Sequence, residues 1–161
     1  MPKLRDRHES ATPRTGEPTR ARPVVLATLS VRVDPSAERM ALDSALEAGV
    51  PLVIVNLLPL RPYPTTFGLL GHEGMTLPHE EDLDAVRATA ERAATLGVKT
   101  ELLRVTSRRP VQALLEVVRE RDAGLLVFGP DLGLTGRLRF RVTARRVRRE
   151  AECLVWIAPD G

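Results

Sequence analysis

A chain of 161 residues, 43% hydrophobic and 28% charged, has the size and composition of one soluble domain with a real core. Its longest apolar runs fall short of the roughly 18 residues that span a bilayer. The net charge of +3 is modest, and aromatics at 3% argue against stacking platforms for nucleic-acid bases.

The first 22 residues are polar, rich in Pro, Thr and Arg, and without periodicity. They are expected to form a disordered basic tail, with the folded domain over 23–161. They lack the apolar stretch of a secretory signal. The single cysteine, Cys153, excludes a disulfide framework and a multi-thiolate zinc site, and fits a reducing cytoplasm.

"PVVLATLS" (Pro23–Ser30) reads as a buried strand. A helix follows, with Asp34 as its cap and Pro35 at its first position. Ala37, Met40, Ala41, Ser44, Ala45 and Ala48 form its apolar stripe, and Gly49 ends it. "VPLVIVNLL" (Val50–Leu58) is apolar without alternation, the pattern of a strand covered on both faces. Pro59–Pro78 has the Pro and Gly content of a long irregular loop.

"HEEDLDAVRATAERAATLG" carries acids in its first turn and an apolar stripe of Leu83, Val86, Ala90, Ala93, Ala94 and Leu96. "VKTELLRVTS" alternates in part, which suits an edge strand. "RRPVQALLEVVRERDAG" is a third helix, buried through Val111, Leu114, Leu115 and Val118. "LLVFG" is a fourth strand, "RLRFRVTARRVRREA" a basic helix with Leu138, Val142 and Val147 toward the sheet, and "CLVWIAP" a fifth strand.

The resulting β-α-β-α-β-α-β-α-β order predicts an α/β fold: one open, mainly parallel five-stranded sheet with helices on both faces. Ligands in such sheets sit beyond the carboxyl ends of the strands, at the reversal of strand order. The segments to inspect are Thr28–Asp34, Asn56–Leu58 and Gly129–Gly136.

The alternation, the stretch "SAERMALDSALE", and above all "LLVFG…GLTGRLR…ARRVRREAECLVWIAP" resemble the universal stress protein family over Pro23–Pro159. The resemblance implies a Rossmann-like sheet of order 3-2-1-4-5 and a cytoplasmic homodimer paired through its last strands, with or without ATP. Family members that bind ATP carry Gly-x2-Gly-x9-Gly-Ser/Thr after the fourth strand and an aspartate closing the first.

Gly129 matches the first glycine, and Gly133 stands one position late for the second. The closing pair falls on Arg141–Val142 or on Thr143–Ala144, depending on where the alignment is anchored, and neither is Gly-Ser or Gly-Thr. A glycine there lets the backbone approach phosphate, and the hydroxyl donates to it. The first strand ends in Leu29 and Ser30, so Asp34 is a helix cap first and an adenosine contact second. What the resemblance implies for a nucleotide is therefore contact with Gly129, Gly133, Thr135, Gly136, Arg137, Arg141, Val142, Asp34 and Val55.

Arg137, Arg139, Arg141, Arg145, Arg146, Arg148 and Arg149 crowd the last helix. They form a solvated face, or they hold an anion in place of the lost pair through Arg137 or Arg141. Nucleic acid ranks third, since no DNA-binding motif stands behind it. His72, Glu73, His79, Glu80, Glu81 and Asp82 lack HExxH spacing, so no metal is expected. Cys153 has no histidine in the C-terminal half to activate it, and Ser30 lacks a G-x-S-x-G elbow. No enzyme is expected. The expected function is regulatory, with a degenerate nucleotide site; a working ATP binder is the alternative.

Overall fold

The computed structural model describes residues 21–60, 80–131 and 137–158. Residues 1–20 of the expected tail (1–22), residues 61–78 of the expected loop (59–78) and the loop positions 132–136 lie outside them. Five strands alternate with four helices: β1 (Val24–Leu29), α1 (Pro35–Ala48), β2 (Leu52–Pro59), α2 (Glu80–Thr95), β3 (Thr100–Ser107), α3 (Pro110–Glu120), β4 (Leu125–Phe128), α4 (Arg137–Glu150) and β5 (Leu154–Ile157). The strands form one parallel sheet in the order β3-β2-β1-β4-β5. The reversal lies between β1 and β4, as expected.

Strand alternation divides the core into two layers. Val24, Leu26, Leu52, Ile54 and Val127 pack under α1 and α2 through Ala37, Ala41, Ala45, Val86 and Ala93. Val25, Ala27, Val55, Leu57 and Phe128 pack under α3 and α4 through Leu114, Val118, Phe140, Ala144 and Val147. β1 and β2 are apolar apart from Thr28 and Asn56 because both faces are covered. β3 is an edge strand and alternates half-buried with exposed residues.

The caps follow the sequence. Asp34 accepts from the Ser36 N–H at 2.8 Å and from the Ser36 hydroxyl, and Pro35 occupies the first turn of α1. Gly49 ends that helix in the left-handed region at φ 61°, where any side chain would add strain.

The helix faces differ from expectation in three places. Ala48 is exposed at the end of α1, where Leu42 is buried instead. Ala94 and Leu96 are exposed, because α2 turns Val86, Thr89 and Ala93 inward at spacings of three and four. In α4 the buried positions are Phe140, Ala144 and Val147, and Val142 is 71% exposed. Two residues beyond Phe140, Val142 lies about 200° around the helix. Phe140 fixes the rotation: its ring stacks on Phe128 with centroids 5.7 Å apart.

Candidate functional site at the strand reversal

The carboxyl rim between β1 and β4 is held by backbone bonds. The Gly129 N–H donates to Ala27 O (3.1 Å), Asp34 N–H to Gly129 O (2.9 Å) and Asp131 N–H to Arg32 O (3.1 Å). Val33 and Pro130 form an isolated antiparallel bridge. Across the same gap the Arg32 Nε donates to Asp131 Oδ2 at 2.7 Å. Asp82, in the first turn of α2, accepts from the Arg32 N–H at 3.3 Å. The β1–α1 loop is thus tied to the start of the β4–α4 loop and to α2.

The turn out of β1 is strained and pinned. Ser30 adopts φ 54°, a region costly for a residue with a side chain. Its hydroxyl donates to Leu57 O at 3.0 Å, and the Thr28 hydroxyl donates to Val31 O at 2.6 Å. Both hydroxyls are therefore committed to the turn.

Gly129 is buried, and the reason for a glycine is local. A Cβ added there would stand 2.2 Å from the Ala37 Cβ and 3.1 Å from the Ala158 Cβ. The position lets β4 pass close under α1, one of the known uses of glycine in strand–helix loops.

The remaining candidates scatter. Asp34 caps α1 with its carboxylate on Ser36. Val55 is fully buried in the layer beneath α3 and α4. Arg141 and Val142 are exposed on α4. Arg137 opens α4, and its side chain lies outside the described residues, as do Gly133, Thr135 and Gly136. The arginines of α4 divide in two. Arg146 and Arg149 share Glu150 at 3.2 and 3.1 Å, and hydrogen bonding to Arg149 leads in lowering the Glu150 pKa. Arg141, Arg145 and Arg148 are exposed without an ion-pair partner among the described residues.

Sequence reasoning placed Asn56 at the head of a segment to inspect but gave it no role. By register it sits beside Thr28 on β1 and Arg104 on β3. Ala27 pairs with Phe128, so Gly129 continues the same level across the reversal. The rung Gly129–Thr28–Asn56–Arg104 faces the α1/α2 layer. Asn56 is 2% exposed, and its Oδ1 has no hydrogen-bond partner among the described residues. A buried, unpaired acceptor costs roughly 1–3 kcal/mol. The signal was present as a lone amide within "VPLVIVNLL".

Cys153 is half-buried at the opposite rim, in a shallow hollow with Arg22, Leu115, Arg119 and Asp122. Desolvation raises its thiol pKa against the weaker opposing influence of Arg22. Among the described residues no cluster of His, Cys, Asp or Glu could hold a metal, and no helix is long and apolar enough to cross a membrane.

No curated protein matches the chain. Among solved structures, a universal stress protein family member from Burkholderia pseudomallei shares 23% identity over 88% of this chain and 99% of its own, with a TM-score of 0.64. The Archaeoglobus fulgidus universal stress protein in complex with dAMP shares 24% over 84% and 96%, TM-score 0.53. A universal stress protein in complex with cAMP shares 21% over 86% and 96%, TM-score 0.57. These likenesses bear on the fold. The model of the universal stress protein family matches residues 21–159, nearly the whole chain. The chain belongs to the universal stress protein family.

Proposed function

We propose that this chain is a non-catalytic, regulatory stress-response protein, a homodimer whose nucleotide site is degenerate at its phosphate end. The observation that carries the reading is the closure of the strand reversal by Arg32–Asp131 and by the Val33–Pro130 bridge. Phosphates bind there in α/β sheets that leave the crevice open to backbone N–H groups. Here the N–H groups of Gly129, Asp131 and Asp34 are already spent on carbonyls.

Two further features support it. Leu29 and Ser30 stand where an acid would close β1, and Ser30 is held on Leu57. Arg141 and Val142 replace the small pair on one reading of the loop, and both face solvent. The dimer reading draws on β5, an edge strand whose Leu154 is 75% exposed. An open edge with an apolar side chain is a place for another strand to pair.

The similar structures with dAMP and cAMP make an adenine nucleotide the ligand class to test. Isothermal titration of the full chain with ATP and Mg²⁺ is expected to show no micromolar binding. Micromolar affinity would overturn the degenerate reading in favour of a working ATP binder.

A further inference from the structure

We propose that the outward flank of α4 is a docking surface for the phosphate backbone of a nucleic-acid duplex, bound without regard to base sequence. This goes beyond the nucleotide reading above and does not depend on it. Binding of this kind needs no base-reading motif, since phosphate contacts carry no sequence information.

The first observation is where the positive charge sits. α4 holds seven arginines against one glutamate. The rest of the chain has 17 basic and 20 acidic residues, so the net charge of +3 comes from this one helix. Basic charge gathered along a helix is the electrostatic footprint of a polyanion partner.

The second is that the arrangement works against the helix. α4 opens on Arg137 and Arg139 with no acid in its first turn, the reverse of what the helix dipole favours. Arg137, Arg141, Arg145 and Arg149 follow one another at i,i+4, where like charges repel. A solvated face chosen for stability would set acids at that spacing. A bound polyanion turns the repulsion into attraction.

The third is that the fold sorts these arginines. Arg146 lines the groove between α3 and α4 with Gln112, Leu115 and Glu116, and it shares Glu150 with Arg149. Arg141, Arg145 and Arg148 lie about 100–160° around the helix from Arg146. That is the flank turned away from α3, and there they are exposed and without an ion-pair partner among the described residues. They follow one another along the axis at about 6 Å and then about 4.5 Å. A row of about 10 Å is too long for one phosphate. A duplex offers one negative charge per about 1.7 Å of its axis, and a guanidinium takes phosphate oxygens in pairs.

What the flank lacks narrows the partner. Phe140, the aromatic residue of α4, is buried, so no ring is offered for stacking on unpaired bases. Val142 is the one exposed apolar residue among the described side chains of α4, too little to anchor in a bilayer. The tail adds to the field. Lys3, Arg5, Arg7, Arg14 and Arg20 outnumber its acids. It joins the domain at Arg22, in the hollow that Glu150 and Ala151 line at the end of α4.

The test is fluorescence anisotropy of a short labelled duplex of mixed sequence, titrated with the full chain over a salt series. Micromolar binding at low salt is expected, with log affinity falling against log salt at a slope of about −3 or steeper. Replacing Arg141, Arg145 and Arg148 together by Gln should lower affinity at least tenfold and reduce that slope by about 3. The same variant should melt no lower than the unaltered chain, since it relieves repulsion, so lost binding is not lost fold. A charge-matched control replaces Arg104, Arg108 and Arg109 by Gln, at the β3–α3 turn, where they too are exposed. It should keep the affinity within about threefold, because charges beyond a Debye length are screened.

No duplex binding at low salt would overturn the assignment. Equal losses in the two triple variants would overturn it too, since net charge and not the flank would then be read. Tighter binding of a single strand of the same length would overturn the duplex reading, and binding confined to phosphatidylserine vesicles would give the surface to a membrane instead.

Discussion

Gly129→Ala separates packing from phosphate binding as the reason for the first loop glycine. The added Cβ would lie 2.2 Å from the Ala37 Cβ, where carbon atoms rest at about 3.5–4.0 Å. Neither neighbour is the far end of a flexible side chain, so α1 and β4 must move apart by over 1 Å. Overpacking of this kind costs about 1–3 kcal/mol. Losing glycine's freedom in the unfolded chain returns about 0.4–1 kcal/mol. The net is a destabilisation of about 1–2 kcal/mol, or roughly 2–8 °C in melting temperature at this size.

Urea and thermal unfolding followed by circular dichroism, without nucleotide, measure it. Ala37→Gly removes the opposing Cβ, so the double variant should be less destabilised than the two single effects added, with a coupling of about 1 kcal/mol. An unchanged or raised melting temperature for Gly129→Ala would refute the reasoning, and so would strict additivity with Ala37→Gly.

Asp34→Ala should cost about 1 kcal/mol by chemical denaturation, while Asp34→Ser, which keeps an acceptor for the Ser36 N–H, should cost a few tenths. Cys153 has its folded pKa raised, chiefly by desolvation. The neutral thiol is therefore the form the fold favours, and its contribution is fully present below the unfolded thiol value. It is lost as pH rises through that value toward the folded one. Iodoacetamide alkylation should reach half-maximal rate at higher pH in the folded chain than in urea; a lower midpoint contradicts the burial account.

Element order and sheet class were legible because β1 and β2 carry unbroken apolar runs, and because Asp34-Pro35 and Gly49 bracket α1 by local chemistry alone. Helix rotation was less legible where apolar and basic residues crowd one another. In α4, Leu138, Val142 and Val147 offered an inward stripe, but the competing set Phe140, Ala144 and Val147 wins because Phe128 supplies a ring for Phe140. That partner lies in β4, beyond any local window. The Arg32–Asp131 pair spans 99 residues and was invisible for the same reason.

The level of the sheet that carries Gly129 changes what the loop glycine says about function. Taken alone, a glycine after a strand suggests a phosphate. Placed beside Ala37 and Ala158, it explains a close crossing of strand and helix and needs no ligand. Three residues of that rung answer to local structure or to solvent: Gly129 to α1, Thr28 to its turn and Arg104 to water. Asn56 alone among them is buried with an open valence.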